Sequence, residues 1–333
     1  MKLSLCVPTY NRARHLANLL HSAIAAARAA DADVEICVSD NHSTDDTPRV
    51  VREAQQRFPV KYRRNERNLG IAGNFLAVVD IAEGEFAWLL GDDDLLFPDS
   101  AARICRLIVA QPGVDFFYVN SCLASAEYVL SQPQPFDVAR LPASMPRFSS
   151  WTRTGPLPFL DLVDPDVSFD FLMGMYLAVF RRERWREHVG ALDPAAVADP
   201  RTFSHFDNTC PHLSIFSRAF AGSQAYFEAE PASVSLSGAR EWAPMYPLVR
   251  SVRMVEALEH FRRNGLGFGR YWRCRNAALR HFLPDLAYIL ANGDRAGRPY
   301  VRPLALALSN MAYPNFWLSP AYYVLRKLGT LLK

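Results

Sequence analysis

Several common signatures are missing from this sequence, and each absence narrows what the chain can be. The six cysteines are scattered and include no Cys-x-x-Cys pair, which argues against a disulfide framework or a zinc site and favours a reducing compartment. The pattern Gly-x-x-x-x-Gly-Lys-[Ser/Thr] is absent, and no Gly-x-Gly-x-x-Gly follows the first apolar segment. The sequence therefore disfavours a P-loop protein and a dinucleotide-binding fold.

Long hydrophobic runs are also missing. The longest apolar run, residues 171–180, is about half of the length that a membrane-spanning helix needs. The N-terminal stretch "MKLSLCVPTY" reaches Pro8 and a polar turn too early for a secretory signal peptide. We therefore expect a chain that does not cross a bilayer and that works in the cytoplasm.

The sequence does contain enough apolar material for a large core, together with an uneven charge. Half of the 333 residues are hydrophobic, so one large domain or two closely packed domains are expected. Residues 236–333 hold 15 Lys/Arg and 5 Asp/Glu, whereas residues 1–235 hold 22 and 29. An acidic front and a basic tail predict different partners for the two parts.

Strands and helices are predicted to alternate over about the first 120 residues. Short apolar segments at residues 3–9 and 34–40 are typical of buried strands, and helical patterns with cap residues follow them. This alternation predicts a doubly wound, mostly parallel α/β sheet. Beyond it, residues 131–158 are rich in Pro and Ser and predict a long loop. From about Pro247 the pattern is helical and basic.

Polar clusters follow three of the predicted strands: "PTYNR", "SDNHSTDD" and "GDDD". Ligands of doubly wound sheets bind outside the carboxyl ends of the strands, so the three clusters are expected on one binding edge. The adjacent carboxylates of Asp92, Asp93 and Asp94 need a counter-charge, and a hard cation such as Mg²⁺ or Mn²⁺ suits oxygen ligands. The alternative is a solvated turn in which Asp94 caps the following helix.

The first two clusters offer groups for a phosphorylated ligand. Thr9 and Asn11 provide a hydroxyl and an amide, and Arg12 is near phosphate reach. Asp40, at the tip of the second strand, is placed to accept hydrogen bonds from a base or a ribose. A turn or helix-cap aspartate is the alternative for Asp40.

Four segments together resemble a known family. They are "SLCVPTYNRARHLANLLHSA", "EICVSDNHSTDDT", "RNERNLGIAGNF" and "AWLLGDDDLLFPD". In order and spacing, over roughly residues 1–100, they resemble the signatures of family 2 glycosyltransferases with the GT-A fold. Their style is similar to that of enzymes that build bacterial O-antigen and capsule, including abequosyltransferase-like members.

The resemblance implies an inverting, single-addition transferase with a nucleotide-sugar donor, Mn²⁺ or Mg²⁺, and a glycan or lipid-linked glycan acceptor. We divide the chain into a nucleotide-sugar-binding half (1–120), an acceptor-binding half (121–235) and a basic helical extension (236–333). Asp94 is the strongest metal-ligand candidate, with Asp92 beside it. The resemblance assigns to the nucleotide site Pro8, Thr9, Asn11, Arg12, Asp40, Asn68 and Asp92, and it places the stretch from Gly70 to Asn74 near the nucleotide or sugar.

The catalytic base is expected from the second half of the chain, across the sugar from the metal. In "SHFDNTCPHL", Asp207 matches the family's usual acid in chemistry and rough position and is the first choice. His212 is the second choice because imidazole titrates near working pH. His205 is a candidate third metal ligand. The alternative is that Asp207 and Asn208 only cap a helix.

The basic tail closes with "FWLSPAYYVLRKLGTLLK", which mixes aromatic, apolar and basic residues. This mixture suits an interfacial helix on the inner face of an anionic membrane, where lipid-linked acceptors reside. An ordinary helical subdomain with a solvated basic face is the alternative, and nothing besides charge supports nucleic-acid binding. Two other functions stay open: a degenerate member that only binds sugar nucleotide, and a metal-dependent nucleotidyltransferase.

Overall fold

The computed structural model describes residues 2–30, 33–238 and 242–331. Its strands are β1 (Lys2–Thr9), β2 (Asp33–Asp40), β3 (Val60–Arg64), β4 (Phe86–Leu89), β5 (Leu95–Leu96), β6 (Val114–Ser125), β7 (Gly155–Pro158), β8 (Ala178–Arg181) and β9 (Gln224–Ser237). Its α-helices are α1 (Ala13–Ala29), α2 (Thr47–Gln55), α3 (Gly70–Ile81), α4 (Ser100–Ala110), α5 (Ala126–Ser131), α6 (Arg182–His188), α7 (Pro194–Val197), α8 (Phe206–Thr209), α9 (Pro211–Ala219), α10 (Tyr246–Leu248), α11 (Met254–Arg263), α12 (Phe268–Ala278), α13 (Phe282–Asn292), α14 (Pro303–Asn310) and α15 (Pro314–Leu331).

The strands of the described ranges form one sheet in the order β3-β2-β1-β4-β8-β6-β9-β5, and β7 pairs with β9. Strands β1 to β4 run parallel to one another, and β6 runs parallel to most of β9. Strand β8 lies antiparallel between β4 and β6. The predicted α/β class with a mostly parallel sheet is confirmed, and β8 adds an antiparallel strand within it.

The parallel part of the sheet folds as its sequence pattern predicts. Strands β1 and β2 are apolar and buried over most of their length, as expected for strands covered by helices on both faces. Crossover connections between parallel strands are right-handed. Helices α1 and α2 lie in crossovers that move from β1 towards β3, whereas α3 lies in the crossover that returns past β1 to β4. Helix α3 is therefore expected on the opposite face of the sheet from α1 and α2. Thr9 pairs with Asp40 in register, so the polar segments that follow β1 and β2 lie side by side.

The second half of the sheet is built around the long strand β9. Strands β5 and β7 pair antiparallel with β9, and β6 runs along it in parallel. The predicted loop at residues 131–158 is largely confirmed, since only a short 3₁₀ turn at Val138–Arg140 interrupts it before β7. Its last four residues form β7, because they find a free edge of β9 that no local sequence pattern reveals.

The helical extension packs onto the α/β part. One hydrophobic cluster joins Leu5 and Phe116 of the sheet with Phe216, Phe261 and Phe316 from helices in the later parts of the chain. A smaller cluster contains Phe203 from the second part together with residues of α10 and α13. The core is thus continuous across the predicted boundaries near residues 120 and 235, and the division into three parts stays a prediction.

The six cysteines all lie in the described part of the chain, and all are buried free thiols. Each is a small residue within the protein interior, as the scattered spacing predicts. Among the described helices, none combines the length and the apolarity that a bilayer span requires.

Candidate functional site

A cavity of about 1410 Å³ opens at the carboxyl ends of β1, β2 and β4. This volume exceeds that of an ordinary small-molecule pocket, roughly 300–1,000 Å³, so the cavity has room for two ligands. Its walls come from all three predicted parts of the chain, including residues of the helical extension between 242 and 315. The predicted site residues that line it are Pro8, Thr9, Arg12, Asn68, Asp92, Asp94 and His212.

Asp92 is held at the junction of β1 and the acidic turn. Thr9 Oγ1 donates a hydrogen bond to Asp92 Oδ2 at 2.8 Å, and Arg12 Nε lies 3.0 Å from Asp92 Oδ1. Burial raises the pKa of Asp92, while the nearby guanidinium of Arg12 opposes that rise. Arg12 also donates to Asp93 Oδ2 at 3.0 Å. The guanidinium of Arg12 is thus shared by the carboxylates of Asp92 and Asp93 at the end of β4.

Asp94 is almost completely buried, and its Oδ2 accepts a hydrogen bond from Gly91 N at 2.7 Å. A Cβ at position 91 would lie 2.8 Å from Asp93 Oδ1 and 3.0 Å from Asp94 Oδ2, so a side chain there would displace these carboxylates. The next helix, α4, begins at Ser100 after Asp99. Asp94 is therefore neither the cap of that helix nor part of a solvated turn.

The acidic turn fits a divalent cation whose coordination is completed by a ligand. Asp92 and Asp94 both present carboxylates at the cavity, and Mg²⁺ is usually held by one or two carboxylates plus substrate phosphates. In the described ranges, no group of three His, Cys, Asp or Glu side chains comes together to hold a metal. A cation bound by Asp92 and Asp94 would therefore take its remaining oxygens from phosphate or water.

His205 was predicted to complete that metal site, and the structure places it elsewhere. It lies outside the cavity lining, and its side chain is half exposed. Its Nδ1 is 2.9 Å from Ser204 Oγ and 3.3 Å from Asp199 Oδ2. His205 is thus held by neighbours on its own loop, and its role as a metal ligand stays a prediction.

Two of the predicted nucleotide residues shape the turns rather than the cavity wall. Asn11 has a left-handed φ of 54°, and its Oδ1 accepts a hydrogen bond from Thr44 N at 2.7 Å. Asp40 is fully buried, and its carboxylate accepts from Ser43 N and from Tyr62 Oη, each at 2.8 Å. Neither residue lines the cavity, so their contact with a nucleotide stays a prediction.

Two buried asparagines lie beside the strand ends: Asn74 belongs to the stretch that the resemblance places near the nucleotide or sugar, and Asn41 was missed by the sequence reasoning. Asn74 Nδ2 donates to the carbonyl oxygens of Thr9 and Ser39, which ties the ends of β1 and β2 to α3. Asn41 Oδ1 accepts from Leu69 N at 2.7 Å, and Asn41 Nδ2 donates to Asn68 Oδ1 at 2.7 Å. Both amides line the cavity and fix its floor. The signal for Asn41 in the sequence was a second polar residue directly after the end of β2.

Asp207, the first choice for the catalytic base, is not among the residues that line the cavity. Its Oδ2 accepts from Asp193 N at 2.8 Å, and its Oδ1 accepts from Ser214 Oγ at 2.5 Å. The capping alternative holds for Asn208 instead, whose Oδ1 accepts from His205 N at the start of α8. Both carboxylate oxygens of Asp207 are thus used to join a loop to α9.

His212, the second choice, lies in the cavity wall at the start of α9. Its Nε2 is 3.1 Å from Met173 O, and a carbonyl can only accept, so Nε2 carries the hydrogen and Nδ1 the lone pair. Nδ1 is buried, with no hydrogen-bond partner among the described residues. Burial lowers the pKa of His212 to about 4. The wall therefore holds a neutral imidazole with an unused acceptor nitrogen.

The family model for glycosyl transferase family 2 matches residues 4–142. The abequosyltransferase RfbV of Salmonella typhimurium is 46% identical over 116 residues, which are 34% of this chain and 34% of that protein. The GalNAc(5)-diNAcBac-PP-undecaprenol β-1,3-glucosyltransferase of Campylobacter jejuni is 37% identical over 134 residues, which are 39% of this chain and 41% of that protein. The chain thus matches about a third of the length of the first relative and two fifths of the second.

Two solved structures share the architecture over nearly the whole chain. Residues 1–349 of S. aureus TarS in complex with UDP align with a TM-score of 0.59 at 15% identity, covering 98% of this chain and 87% of that one. The mannosyltransferase PcManGT from Pyrobaculum calidifontis, in complex with GDP-Man and Mn²⁺, aligns with a TM-score of 0.51 at 18% identity, covering 99% and 86%. Residues 4–142 thus match the glycosyl transferase family 2 model, and these two structures share the fold of the chain over nearly its whole length.

Proposed function

We propose that this chain transfers a sugar from a nucleotide-sugar donor to a glycan or lipid-linked glycan acceptor. The observation that carries the proposal is the shared cavity, with the acidic turn in one wall and the neutral imidazole of His212 in another. A donor diphosphate suits the first wall, and an acceptor hydroxyl suits the second. The room for two ligands follows from the volume of the cavity.

The donor is proposed to lie against the strand ends. Pro8, Thr9 and Asn68 offer surface and polar groups on that wall, and Arg12 places a guanidinium beside Asp92 and Asp93. Mn²⁺ or Mg²⁺ held by Asp92 and Asp94 would neutralise charge that develops on the leaving diphosphate. The neighbour that binds GDP-Man and Mn²⁺ supports this part of the proposal by fold alone.

The transfer is proposed to invert the anomeric carbon, with His212 as the base. An inverting displacement needs one group to take the proton of the acceptor hydroxyl on the side away from the leaving group. The lone pair of His212 Nδ1 has no hydrogen-bond donor beside it among the described residues, but the atom is covered by protein, so the acceptor hydroxyl reaches it only when this part of the wall opens on binding. Asp207 stays a prediction, but both of its oxygens already accept hydrogen bonds. The structure therefore supports His212 over Asp207.

The purified chain tests the proposal with a panel of nucleotide sugars. Each donor is incubated with Mn²⁺, with Mg²⁺ or with excess EDTA, and release of the nucleoside diphosphate is measured. We expect slow release from one donor class that requires the cation. Binding of a donor without release of nucleoside diphosphate, with every acceptor tried, would favour a degenerate family member that only binds sugar nucleotide. In a parallel assay with a nucleoside triphosphate and a sugar 1-phosphate, release of inorganic diphosphate would instead favour a nucleotidyltransferase.

The acceptor is proposed to be presented at an anionic membrane by the helical extension. Large apolar side chains are exposed on α14 and α15, notably Leu304 (73%), Leu308 (60%), Trp317 (61%) and Leu325 (65%). On α15, residues 317, 324, 325 and 328 recur at spacings of one face of a helix. Such a face beside basic residues is typical of helices that lie in a membrane interface.

Leu304→Ser/Leu308→Ser is expected to reduce binding to anionic phospholipid vesicles several-fold. The two side chains lie one turn apart on α14 and are exposed, so their loss removes apolar contact without opening the core. Co-sedimentation at low and high salt measures the binding. Val109→Ser, which removes an equally exposed side chain (67%) from α4, is the matched control and should bind like the unaltered chain. If the unaltered chain binds the vesicles at neither salt concentration, the extension is an ordinary helical subdomain with a solvated basic face.

A further inference from the structure

A buried carboxylate in the cavity wall lies outside the acidic turn. Asp170 lines the cavity, and it is almost completely buried. Its Oδ1 accepts a hydrogen bond from Ser168 Oγ at 2.7 Å, and its Oδ2 accepts one from Gly174 N at 2.7 Å. Burial raises the pKa of Asp170, and these hydrogen bonds oppose that rise. They therefore stabilise the carboxylate at a place where burial favours the protonated acid.

The peptide group between Met173 and Gly174 joins this carboxylate to His212. Its N–H donates to Asp170 Oδ2 at 2.7 Å, and its carbonyl oxygen accepts from His212 Nε2 at 3.1 Å. The N–H and the carbonyl belong to one planar, resonance-stabilised unit, so a charge at one end polarises the other. Burial lowers the pKa of His212, and the carbonyls of Met173 and Leu172 oppose that fall. This loop therefore favours the imidazolium.

The backbone before this peptide has an uncommon conformation. Phe171 and Leu172 have left-handed φ values of 52° and 69°, which bulky residues rarely adopt. Both residues are buried, and the N–H of Met173 donates to the carbonyl of Asp170 at 3.2 Å, so packing and a hydrogen bond hold the turn. Strained backbone of this kind persists where its surroundings over-determine it, and it is concentrated at active sites. Here the turn presents the carbonyl of Met173 to His212.

Glycine at position 174 allows the carboxylate to approach this peptide closely. A Cβ there would lie 3.1 Å from Asp170 Oδ2 and 3.1 Å from Leu177 Cδ1, so one of these side chains would have to shift. The φ of Gly174 is −74°, which any residue can adopt. The position therefore needs glycine for space rather than for its backbone conformation, and the space is filled by the carboxylate.

We infer that Asp170 is a positioning residue that acts on His212 through the Met173–Gly174 peptide. The inference rests on the proposed function and adds a residue to it. A negative charge at the N–H end strengthens the carbonyl as an acceptor, so Nε2 keeps its hydrogen and Nδ1 keeps the lone pair. In the transfer, Nδ1 takes the proton of the acceptor hydroxyl, whose oxygen bonds to the anomeric carbon as the bond to the leaving diphosphate breaks. The polarised carbonyl then stabilises the imidazolium that forms.

Asp170→Asn tests this coupling, because asparagine keeps the size of the side chain and an oxygen for Gly174 N but removes the charge. NMR of the free protein, labelled with ¹⁵N at histidine, detects the Nε2–H proton of His212, which the spectrum of His212→Gln lacks. A neutral amide polarises the peptide less, so this proton signal should move upfield. Turnover should fall about tenfold with the KM of the donor unchanged, since the charge matters once the imidazolium forms. Thermal unfolding checks the fold.

Asp166→Asn is the matched control, because it removes a nearby exposed carboxylate that pairs with Arg273 instead, and it should leave the proton signal unchanged. Gly174→Ala keeps every charge but crowds Asp170, so it should move the signal in the same direction, and it replaces Asp170→Asn if that variant does not fold. An unchanged signal would overturn the inference, whether or not turnover falls, and so would a shifted signal with full turnover. The signal is read without donor, so it decides the coupling even if the unaltered chain transfers no sugar, a result that would contradict the proposed function.

Discussion

Asp94→Asn is expected to lower sugar transfer by about a thousandfold or more while the fold remains intact. Asparagine keeps the size of the side chain and an oxygen that accepts from Gly91 N, so the turn should persist. It removes the negative charge that a divalent cation requires, and loss of leaving-group stabilisation worth several kcal/mol corresponds to about that factor in rate. Steady-state transfer from a labelled donor measures the effect, and thermal unfolding checks the fold.

The neighbouring carboxylate gives a matched control for Asp94. Asp93 belongs to the same turn and carries the same charge, but it is partly exposed and pairs with Arg12. Asp93→Asn is therefore expected to reduce transfer far less than Asp94→Asn, and Asp92→Asn to fall between them. Undiminished transfer by Asp94→Asn, or by the unaltered chain in excess EDTA, would show that the acidic turn does not act through a cation.

The donor half was predictable because its determinants are local. The polar residues after β1, β2 and β4 follow directly on apolar runs, and a parallel sheet brings such strand ends to one edge whatever their detailed contacts. Predicted strands at residues 3–9 and 34–40 therefore agree with β1 and β2 within one residue. The site residues Thr9, Arg12, Asp92 and Asp94 come together for the same reason.

The acceptor side was less predictable because distant segments build it. Asp207 is bound by a backbone N–H of residue 193, and His212 faces a carbonyl of residue 173. Neither contact has a signature within the short motif that contains both side chains. The same holds for Asp170, which accepts from the N–H of residue 174 in a turn with two left-handed residues. The sequence shows an aspartate between two phenylalanines but not that its carboxylate faces a peptide beside His212.

The pH dependence of the reaction provides a signature of His212. Its pKa is lowered to about 4 by burial, so the imidazole stays neutral as the pH falls through the usual histidine value of about 6.5. The base should therefore remain available in the free protein until the pH approaches 4. We therefore expect that protonation of His212 causes no fall in kcat/KM for the donor near pH 6.5. The fall in kcat should lie at a higher pH, because a bound anionic donor favours the imidazolium.

The same pKa makes a prediction about stability. The unfolded chain binds a proton at His212 near pH 6.5, whereas the folded chain resists it until about pH 4. The unfolded state therefore binds more protons between these values, and the contribution of this group to stability declines as the pH falls from 6.5 to 4. His212→Gln should remove the part of this decline in stability that comes from the imidazole of His212. Urea unfolding at pH 7 and pH 5 compares the two proteins.

His212→Gln is expected to lower turnover by about a hundredfold or more, with the KM of the donor little changed. Glutamine can still donate to Met173 O from a nitrogen near the place of Nε2, so the cavity wall should keep its shape. The variant lacks the lone pair of Nδ1, and loss of a general base costs about 10²–10⁴ in rate. Transfer to a suitable acceptor at saturating donor measures turnover.

Asp207→Asn is the comparison that decides between the two candidates for the base. An amide at position 207 keeps one oxygen for Asp193 N or Ser214 Oγ, so a modest loss of stability with near-normal turnover is expected. If Asp207→Asn instead removes turnover and His212→Gln does not, the base is Asp207 and the loop at residue 193 must move when donor binds. If neither substitution matters, the acceptor hydroxyl lies elsewhere in the cavity, because an inverting transfer cannot dispense with a group that takes the proton.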